Sequence, residues 1–225
     1  MGILCRFLSI PKKGIYYTMT STEMRDNPLF MRNGFDTVGK WDIPLVKKQN
    51  LDLTDIQLVA CSDTRANDNE INKKRGVHFF VDDFRFEGIY NNPERTLDKY
   101  SQYAFLLTPD FSLYSDMNYW RQLESVAKNR WVGAFWQHYG IVVIPTVSWS
   151  DKKSYDFCFD GIERHSIVAI GTIGCKHSKD DFLDGYYAMM NRIEPEKVIC
   201  FGSAFPEMDT NTIVVDYLSS RKVVR

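Results

Sequence analysis

Short apolar runs rich in β-branched and aromatic residues recur along this chain, and most of them end in a small or acidic polar residue. Seven runs are predicted to be β-strands, at residues 56–61, 77–83, 104–110, 141–148, 166–172, 197–203 and 212–217. Helical patterns separate most of these runs. Such alternation is typical of repeated β-α-β units, in which a parallel sheet is buried on both faces. We therefore expect an α/β fold built on parallel strands.

The strongest helical pattern lies between residues 116 and 140, where apolar residues recur mostly at spacings of three and four. Asp116 is placed to cap this helix, and Gly140 is placed to end it. A helix over 92–102 opens with an Asn-Pro pair, which suits an N-cap followed by the first helical position. A further helix is predicted after residue 178, where Ser-Lys-Asp-Asp matches a capping box.

Two architectures fit this order of elements. One is an incomplete or distorted (β/α) barrel, and the alternative is an open doubly wound sheet. A complete eight-stranded barrel usually needs about 250 residues, and this chain has 225. We favour the barrel-like arrangement because polar residues end nearly every predicted strand, whereas an open sheet concentrates its site at one switch point.

The domain boundaries follow from changes in pattern along the chain. Residues 1–18 are predicted to be a disordered extension, residues 19–55 an irregular N-terminal arm, and residues 56–225 a single α/β domain. The segment 62–75 has few large apolar residues and is predicted to be a surface loop. No helix is expected there, so the strands on either side of it need not be parallel neighbours.

Composition places the chain among ordinary globular proteins, with 44% hydrophobic and 25% charged residues. The net charge of −1 does not favour binding to nucleic acid or to an anionic membrane surface. The five cysteines contain no C-x-x-C pair, which favours a reducing compartment over a disulfide scaffold. The longest apolar run is less than half of a membrane span, so no membrane partner is predicted.

Acidic residues at two strand ends are the candidate catalytic groups. Asp82 and Asp83 end one predicted strand, and Asp110 ends the next. In a parallel sheet these ends meet at one edge, where two carboxylates can act as general acid and base or hold a divalent metal such as magnesium. Strand alternation allows only one of Asp82 and Asp83 to point inward. The alternative is that these aspartates only cap the turns that follow the strands.

Polar residues at the other strand ends are candidates for ligand binding. Trp149 offers an aromatic surface on which a base or sugar ring could stack. The complete set of predicted ligand-binding residues is Thr108, Ser112, Thr146, Ser148, Trp149, Thr172 and Ser203. His78 and His138 are interpreted as core or boundary residues, and no histidine or cysteine spacing matches a zinc site.

Three motifs carry a resemblance to a known family. They are Thr-Pro-Asp-Phe-Ser at 108–112, the stretch from Trp136 through Gly140–Trp149, and Ile-Gly-Thr at 170–172. Together they resemble an uncharacterised family, catalogued as a domain of unknown function, that is found in bacteria, phages and mobile elements. The resemblance covers about residues 76–217. It implies a cytoplasmic setting and a phage or mobile-element role, and it supplies no activity and no catalytic residues.

Three functions remain open at this point, and with them the question of whether the chain is an enzyme. The first is a hydrolase-like enzyme that uses the strand-end carboxylates on a nucleotide, a nucleic acid or a glycosidic bond. The second is a non-catalytic protein that sequesters a small molecule or a host protein. The third is an accessory to DNA replication or processing. The sequence does not define the oligomeric state.

Overall fold

The structure is a computed structural model that describes residues 20–220. The chain divides into two compact units, one ending at Asp36 and the other starting at Thr37. The first unit contains the short helices α1 (Ser21–Arg25) and α2 (Pro28–Met31). The predicted extension at 1–18 lies outside the described residues. The predicted boundaries at residues 19 and 56 stay predictions.

The second unit holds the strands, which fall into three sheets. An antiparallel pair, β1 (Thr37–Val38) and β2 (Ile43–Pro44), comes first. A four-stranded parallel sheet follows in chain order, made of β3 (Leu58–Ala60), β4 (Gly76–His78), β5 (Phe105–Leu107) and β6 (Val143–Ile144). A three-stranded parallel sheet contains β7 (Ile167–Gly171), β8 (Lys197–Phe201) and β9 (Thr212–Val215). Each of the seven predicted strands overlaps one of these parallel strands, which confirms the parallel α/β fold.

The helices of the second unit pack against these sheets or connect their strands. They are α3 (Glu70–Lys73), α4 (Glu87–Asn91), α5 (Pro93–Tyr100), α6 (Tyr119–His138), α7 (Lys179–Ile193) and α8 (Tyr217–Ser220). Three short 3-10 helices cover Asp83–Arg85, Ser154–Asp156 and Cys175–Ser178. The helices predicted from residues 92, 116 and 178 therefore correspond to α5, α6 and α7. None of the helices within residues 20–220 combines the length and the apolar character that crossing a bilayer requires.

Two predictions of helix starts are wrong. Helix α6 begins after Asn118 and not after Asp116, because the Gln122 side chain donates to the carbonyls of Tyr114 and Met117 and holds the preceding turn outside the helix. Ser178 precedes α7 but caps it with no side-chain hydrogen bond. The 3-10 helix leads directly into α7 there, so Ser178 does not have the extended backbone of a capping residue.

The interpretation of 62–75 as a loop without a helix is also wrong. Helix α3 forms within this segment because Asn69 Oδ1 accepts hydrogen bonds from the amides of Ile71 and Asn72. β3 and β4 are parallel neighbours, and the Gly76 amide donates to the Gln57 carbonyl at 2.9 Å. Side-chain capping thus produced a helical turn where the apolar pattern was too weak to predict one.

The core has two layers that follow from strand alternation. One layer gathers side chains from strands of both parallel sheets, including Leu58, Leu107, Ile144, Ala169 and Ile199. The other layer packs the opposite faces of β7 and β8 against the apolar sides of α6 and α7. Both faces of the parallel strands are therefore buried, as the continuous apolar runs predict.

The two parallel sheets meet at a single bridge between Thr146 and Ala169. Strand order follows chain order in both sheets, without the reversal that defines a doubly wound sheet. Within residues 20–220, β9 pairs with β8 and forms no ladder with β3. The barrel-like arrangement stays a prediction.

Candidate functional site

A cavity of about 700 Å³ lies at the carboxyl ends of the parallel strands, and we call it the strand-end cavity. Its polar lining comes from segments that follow β4, β5 and β6, namely Asp82, Asp83, Asp110, Ser112 and Ser148. Its other walls include residues at the ends of β7 and β8 and after β9. Five of the residues predicted to form a site therefore share one cavity. This edge of a parallel sheet is where ligands usually bind.

Asp110 lies at the inner part of this cavity, half-buried just beyond the end of β5. The hydroxyl of Ser148, from the segment after β6, donates a hydrogen bond to Asp110 Oδ1. Burial raises the pKa of Asp110 to about 6, and the negative charge of Asp83 adds to the increase. The Ser148 hydrogen bond and the positive charge of Arg130 act in the opposite direction. Asp110 is thus a carboxyl group that can gain and lose a proton close to neutral pH.

Asp83 is held in place by the segment after β5. Its Oδ2 accepts a hydrogen bond from the Ser112 amide at 3.1 Å, and its Oδ1 accepts one from the Ser112 hydroxyl at 2.9 Å. The Ser112 hydroxyl also lies 3.1 Å from the Tyr114 hydroxyl. These contacts fix the orientation of the Asp83 carboxylate and link the end of β4 to the end of β5.

Asp82 differs from its neighbour in exposure and in partner. Its side chain is 71% exposed and faces Arg85, with 3.6 Å between Oδ2 and Nε. Asp83 is the member of the pair that bonds across to the next strand end. Both residues line the strand-end cavity, but only the carboxylate of Asp83 affects the pKa of Asp110.

A buried arginine supports the backbone around this site. The sequence analysis did not identify it as a candidate. The Arg130 side chain, on α6, donates to the carbonyls of Thr146, Cys158 and Asp160 at 2.9, 2.9 and 3.0 Å. Burial lowers the pKa of Arg130 to about 10, and the nearby carboxylates of Asp160 and Asp110 oppose that decrease. The available signal was an arginine within the apolar pattern of α6, flanked by asparagine and tryptophan.

Two predicted ligand-binding residues are structural links between strands. The Thr146 amide donates to Thr108 Oγ1 at 2.7 Å, and the Thr146 hydroxyl donates to the Thr108 carbonyl at 2.8 Å. Both residues are at most 1% exposed. Their hydroxyls are used in joining the ends of β5 and β6, which keeps them out of the strand-end cavity.

Trp149, predicted to stack on a ligand ring, lies outside the strand-end cavity. Its indole packs against Phe182 and Phe159, with ring centroids 5.1 and 6.2 Å away. It also covers Gly185 so closely that a Cβ added there would lie 2.0 Å from the indole Nε1. The side chain is therefore engaged in packing α7 against the sheet.

Thr172 and Ser203 line a separate cavity of about 440 Å³, which we call the Thr172 cavity. A further cavity of about 510 Å³, the His78 cavity, lies beside the strand-end cavity and includes His78 and Arg85 in its lining. Tyr217 lines all three cavities. The strand ends thus form one polar edge that side chains divide into compartments.

The carboxylates do not form a metal cage. Within residues 20–220, no group of three or more His, Cys, Asp or Glu side chains is arranged to hold a metal ion. Asp83 uses both carboxylate oxygens as acceptors from Ser112, and Asp110 accepts from Ser148. The donor set does not fit a divalent metal such as magnesium, and the chemistry proposed below involves no metal.

The charged groups among the described lining residues of the strand-end cavity are all acidic. Three carboxylates line it, and no Lys, Arg or His is among its described lining residues. Phe84 and Tyr114, 73% and 61% exposed, form part of its outer wall. The cavity combines acid–base groups with aromatic surface and lacks the cations that bind phosphate groups.

These features define a parallel α/β protein with a carboxylate-lined cavity at the ends of its strands. The family described as "Domain of unknown function (DUF4417)" matches residues 35–218, and the chain belongs to this family. The family resemblance inferred from the three motifs is confirmed.

Two phage proteins are similar to this chain. It is 38% identical over 177 residues to the Gene 1 protein of Mycobacterium phage L5. The aligned segment covers 77% of this chain and 76% of that protein. It is 41% identical over 129 residues to the Gene 1 protein of Mycobacterium phage D29. The aligned segment covers 56% of this chain and 48% of that protein. No solved structure matches the chain significantly.

Proposed function

We propose that this chain is an acid–base hydrolase that cleaves a glycosidic bond held in the strand-end cavity. The observation that carries the proposal is the pairing of Asp110 and Asp83, which come from two strand ends, line one cavity and interact electrostatically. Glycoside hydrolases usually act through two carboxyl groups that lie in different environments. We further propose that the strands form an incomplete barrel, which would bring all their carboxyl ends to the same mouth.

The charge of the strand-end cavity indicates whether the substrate bond is a glycosidic bond or a phosphate bond of a nucleotide or nucleic acid. A phosphodiester or nucleotide phosphate placed beside the carboxyl groups of Asp82, Asp83 and Asp110 would find no cation to bind it, because no basic side chain is among the described lining residues of this cavity. A sugar ring carries no charge, and its apolar face stacks on aromatic surface such as Phe84 and Tyr114. Cleavage of a glycosidic bond is therefore favoured over phosphoryl chemistry, and the same charge argues against a DNA-processing role.

The proposed step assigns a different role to each carboxyl group. Protonated Asp110 gives its proton to the leaving atom of the glycosidic bond as the bond from the anomeric carbon breaks. The carboxylate of Asp83, held by Ser112, stabilises the positive charge that develops on the sugar ring. Water then adds to the anomeric carbon, and its proton returns to Asp110, so that the enzyme is regenerated.

Hydrolysis assays on defined uncharged substrates test this proposal. The probes are 4-nitrophenyl glycosides, which report released nitrophenol, and uridine and inosine, which report the free base. Asp110→Asn is expected to lower kcat at least 100-fold on uridine or inosine if either is accepted, because their bases need a proton to leave and general acid catalysis contributes about that much or more. The loss on the nitrophenyl glycosides should be smaller, because nitrophenolate leaves without a proton. Asp98→Asn, a change of the same chemistry at an exposed aspartate that does not line the cavity, is the matched control and should retain activity. Equal activity of the Asp110→Asn variant and the parent protein would overturn the assignment.

Ligand sequestration in the same cavity is the second candidate. It is favoured by the exposure of Phe84 and Tyr114, which present aromatic surface at the cavity wall. Mass spectrometry of small molecules that copurify with the chain separates the two functions. An intact glycoside bound to the parent protein, with no product formed over time, would support sequestration and contradict hydrolysis. For either function, we also propose a phage or mobile-element role in the cytoplasm, which is what the family resemblance implies.

A further inference from the structure

The Thr172 cavity adjoins the strand-end cavity, and Ile173 and Tyr217 line both of them. Its volume is about 440 Å³, and it lies at the carboxyl ends of β7 and β8. A ligand in the strand-end cavity that contacts these two shared side chains would have the Thr172 cavity directly beside it. The proposed hydrolysis does not use this second cavity.

Three side chains in the lining of the Thr172 cavity are hydrogen-bond donors that a ligand can reach. Lys176, His177 and Ser203 are all exposed. Within residues 20–220, none of these three side chains forms a hydrogen bond or an ion pair. The lysine ammonium carries three N–H donors, the histidine ring carries at least one, and the serine carries a hydroxyl. A ligand can therefore bind these groups without displacing a partner in the described part of the protein.

The charges of the Thr172 cavity differ from those of its two neighbours. Arg85, the cation in the lining of the His78 cavity, lies 3.6 Å from the carboxylate of Asp82, whereas Lys176 has no such partner among the described residues. Asp216 also lines the Thr172 cavity, and its Oδ2 accepts a hydrogen bond from the Ser219 amide at 3.1 Å. An anion at this edge of the sheets would therefore find its most favourable place beside Lys176.

The backbone after β7 leaves free space in the wall of this cavity. Gly174 has a φ of 86°, a conformation that glycine adopts readily. A Cβ built at Gly174 would meet no other atom within 4 Å. The missing side chain therefore lets a ligand oxygen come close to the main chain, as glycines do where backbone and ligand approach each other.

We propose that the Thr172 cavity binds a phosphate monoester group of the substrate, with Lys176 as the ion-pair partner and His177 and Ser203 as further donors. A phosphate monoester carries about 1.5 to 2 negative charges at neutral pH and has three acceptor oxygens, which suits one cation beside two other donors. The inference rests on the proposed function, because the two cavities share a wall and the glycosidic bond lies beside Asp110. The substrate is then a phosphorylated glycoside. A nucleotide with its N-glycosidic bond and a phosphorylated sugar glycoside share this chemistry.

Calorimetry on the full chain tests the inference without turnover, in the Asp110→Asn background. Uridine 5′-monophosphate and uridine form one pair of probes that differ only in the phosphate, and glucose 6-phosphate and glucose form a second pair. The phosphorylated member of one pair should bind at least tenfold more tightly than its partner, because charge-assisted hydrogen bonds contribute about that much or more. A preference in the first pair identifies a nucleotide, and a preference in the second identifies a sugar phosphate. Either preference supports the inference.

Substitution of the proposed cation locates the phosphate. Lys176→Gln should raise the Kd of the preferred phosphorylated probe at least tenfold and leave the Kd of its unphosphorylated partner unchanged. Lys197→Gln, the same change at the amino end of β8, is the matched control and should alter neither value. Ser203→Ala provides a second variant and should raise the same Kd about threefold. Both substituted positions at the cavity are exposed, so circular dichroism should show an unchanged fold.

The outcomes separate this inference from the proposed hydrolysis. Equal Kd values within both probe pairs, no binding of either phosphorylated probe, or equal effects of Lys176→Gln and Lys197→Gln would overturn the inference. Hydrolysis of uridine with no preference for the phosphorylated probe would leave the hydrolase proposal standing alone. Binding that depends on Lys176, with no uracil released from uridine 5′-monophosphate and no nitrophenol from a 4-nitrophenyl glucoside 6-phosphate, would support the phosphate site and contradict the hydrolase proposal.

Discussion

The hydroxyl of Ser148 donates a hydrogen bond to Asp110 Oδ1, and this contact joins the end of β6 to the end of β5 inside the strand-end cavity. The bond favours the ionised form of Asp110, while burial of the carboxyl group favours the protonated form. Burial dominates, and the pKa of Asp110 is raised to about 6. The pKa of Asp110 therefore results from two opposing effects, and single substitutions can raise it or lower it.

Ser148→Ala should raise the pKa of Asp110 above its value of about 6, because the variant loses the donor that stabilises the carboxylate. If Asp110 is the general acid, activity on an accepted glycoside would then persist to higher pH than in the parent protein. The pKa is measured by ¹³C NMR titration of the Asp110 carboxyl carbon. Ser150→Ala is the matched control, since the Ser150 hydroxyl donates to Gln122 and not to Asp110. A lower pKa in the Ser148 variant would contradict this account.

Asp83→Asn should lower the pKa of Asp110, because it removes a nearby negative charge that disfavours ionisation. The neighbouring substitution Asp82→Asn removes the same charge from an exposed side chain paired with Arg85 and should leave the pKa of Asp110 nearly unchanged. The same NMR titration measures both variants. Equal shifts in the two variants would show that general surface charge, and not the position of Asp83, controls Asp110.

Asp110 should also make stability depend on pH. Its folded pKa of about 6 lies above the unfolded value of 3.8, so the folded state holds the proton more tightly. The stabilisation from this group is present in full below pH 3.8 and is lost as the pH rises to about 6. Asp110→Asn removes this loss, which is about 3 kcal/mol.

Thermal melts at pH 4, 5, 6 and 7 measure that effect. The Tm difference between Asp110→Asn and the parent protein should grow in favour of the variant between pH 4 and pH 6 and then level off. A difference that stays constant across this range would mean that Asp110 has an ordinary pKa in the folded protein.

Arg130→Leu should lower the free energy of unfolding by roughly 3 kcal/mol or more, because it leaves the carbonyls of Thr146, Cys158 and Asp160 without a buried donor. Urea denaturation monitored by circular dichroism measures the loss. Arg121→Leu, on the same helix, removes only a partly exposed ion pair and should cost about 1 kcal/mol or less. Similar losses in the two variants would contradict a supporting role for Arg130 beneath the site.

Asp83 and Asp110 line one cavity and Trp149 does not, and this difference has a physical explanation. The meeting of Asp83 and Asp110 follows from parallel strands, whose carboxyl ends lie at one edge. Trp149 also follows a strand, yet its side chain packs on α7 beside Gly185. The direction that a side chain takes after a strand ends depends on the next turn and on distant partners, which strand periodicity does not encode.

The sequence by itself determined the parallel α/β fold, the positions of seven strands and the family, because burial on both faces of a parallel sheet leaves a local pattern of apolar runs. It also identified the strand-end aspartates as candidates. Only the tertiary structure decided that Asp83 and not Asp82 bonds across to the next strand end, and that Arg130 supports the backbone around the site. These relationships join residues far apart in the chain, so they depend on packing between elements and are invisible to any local pattern.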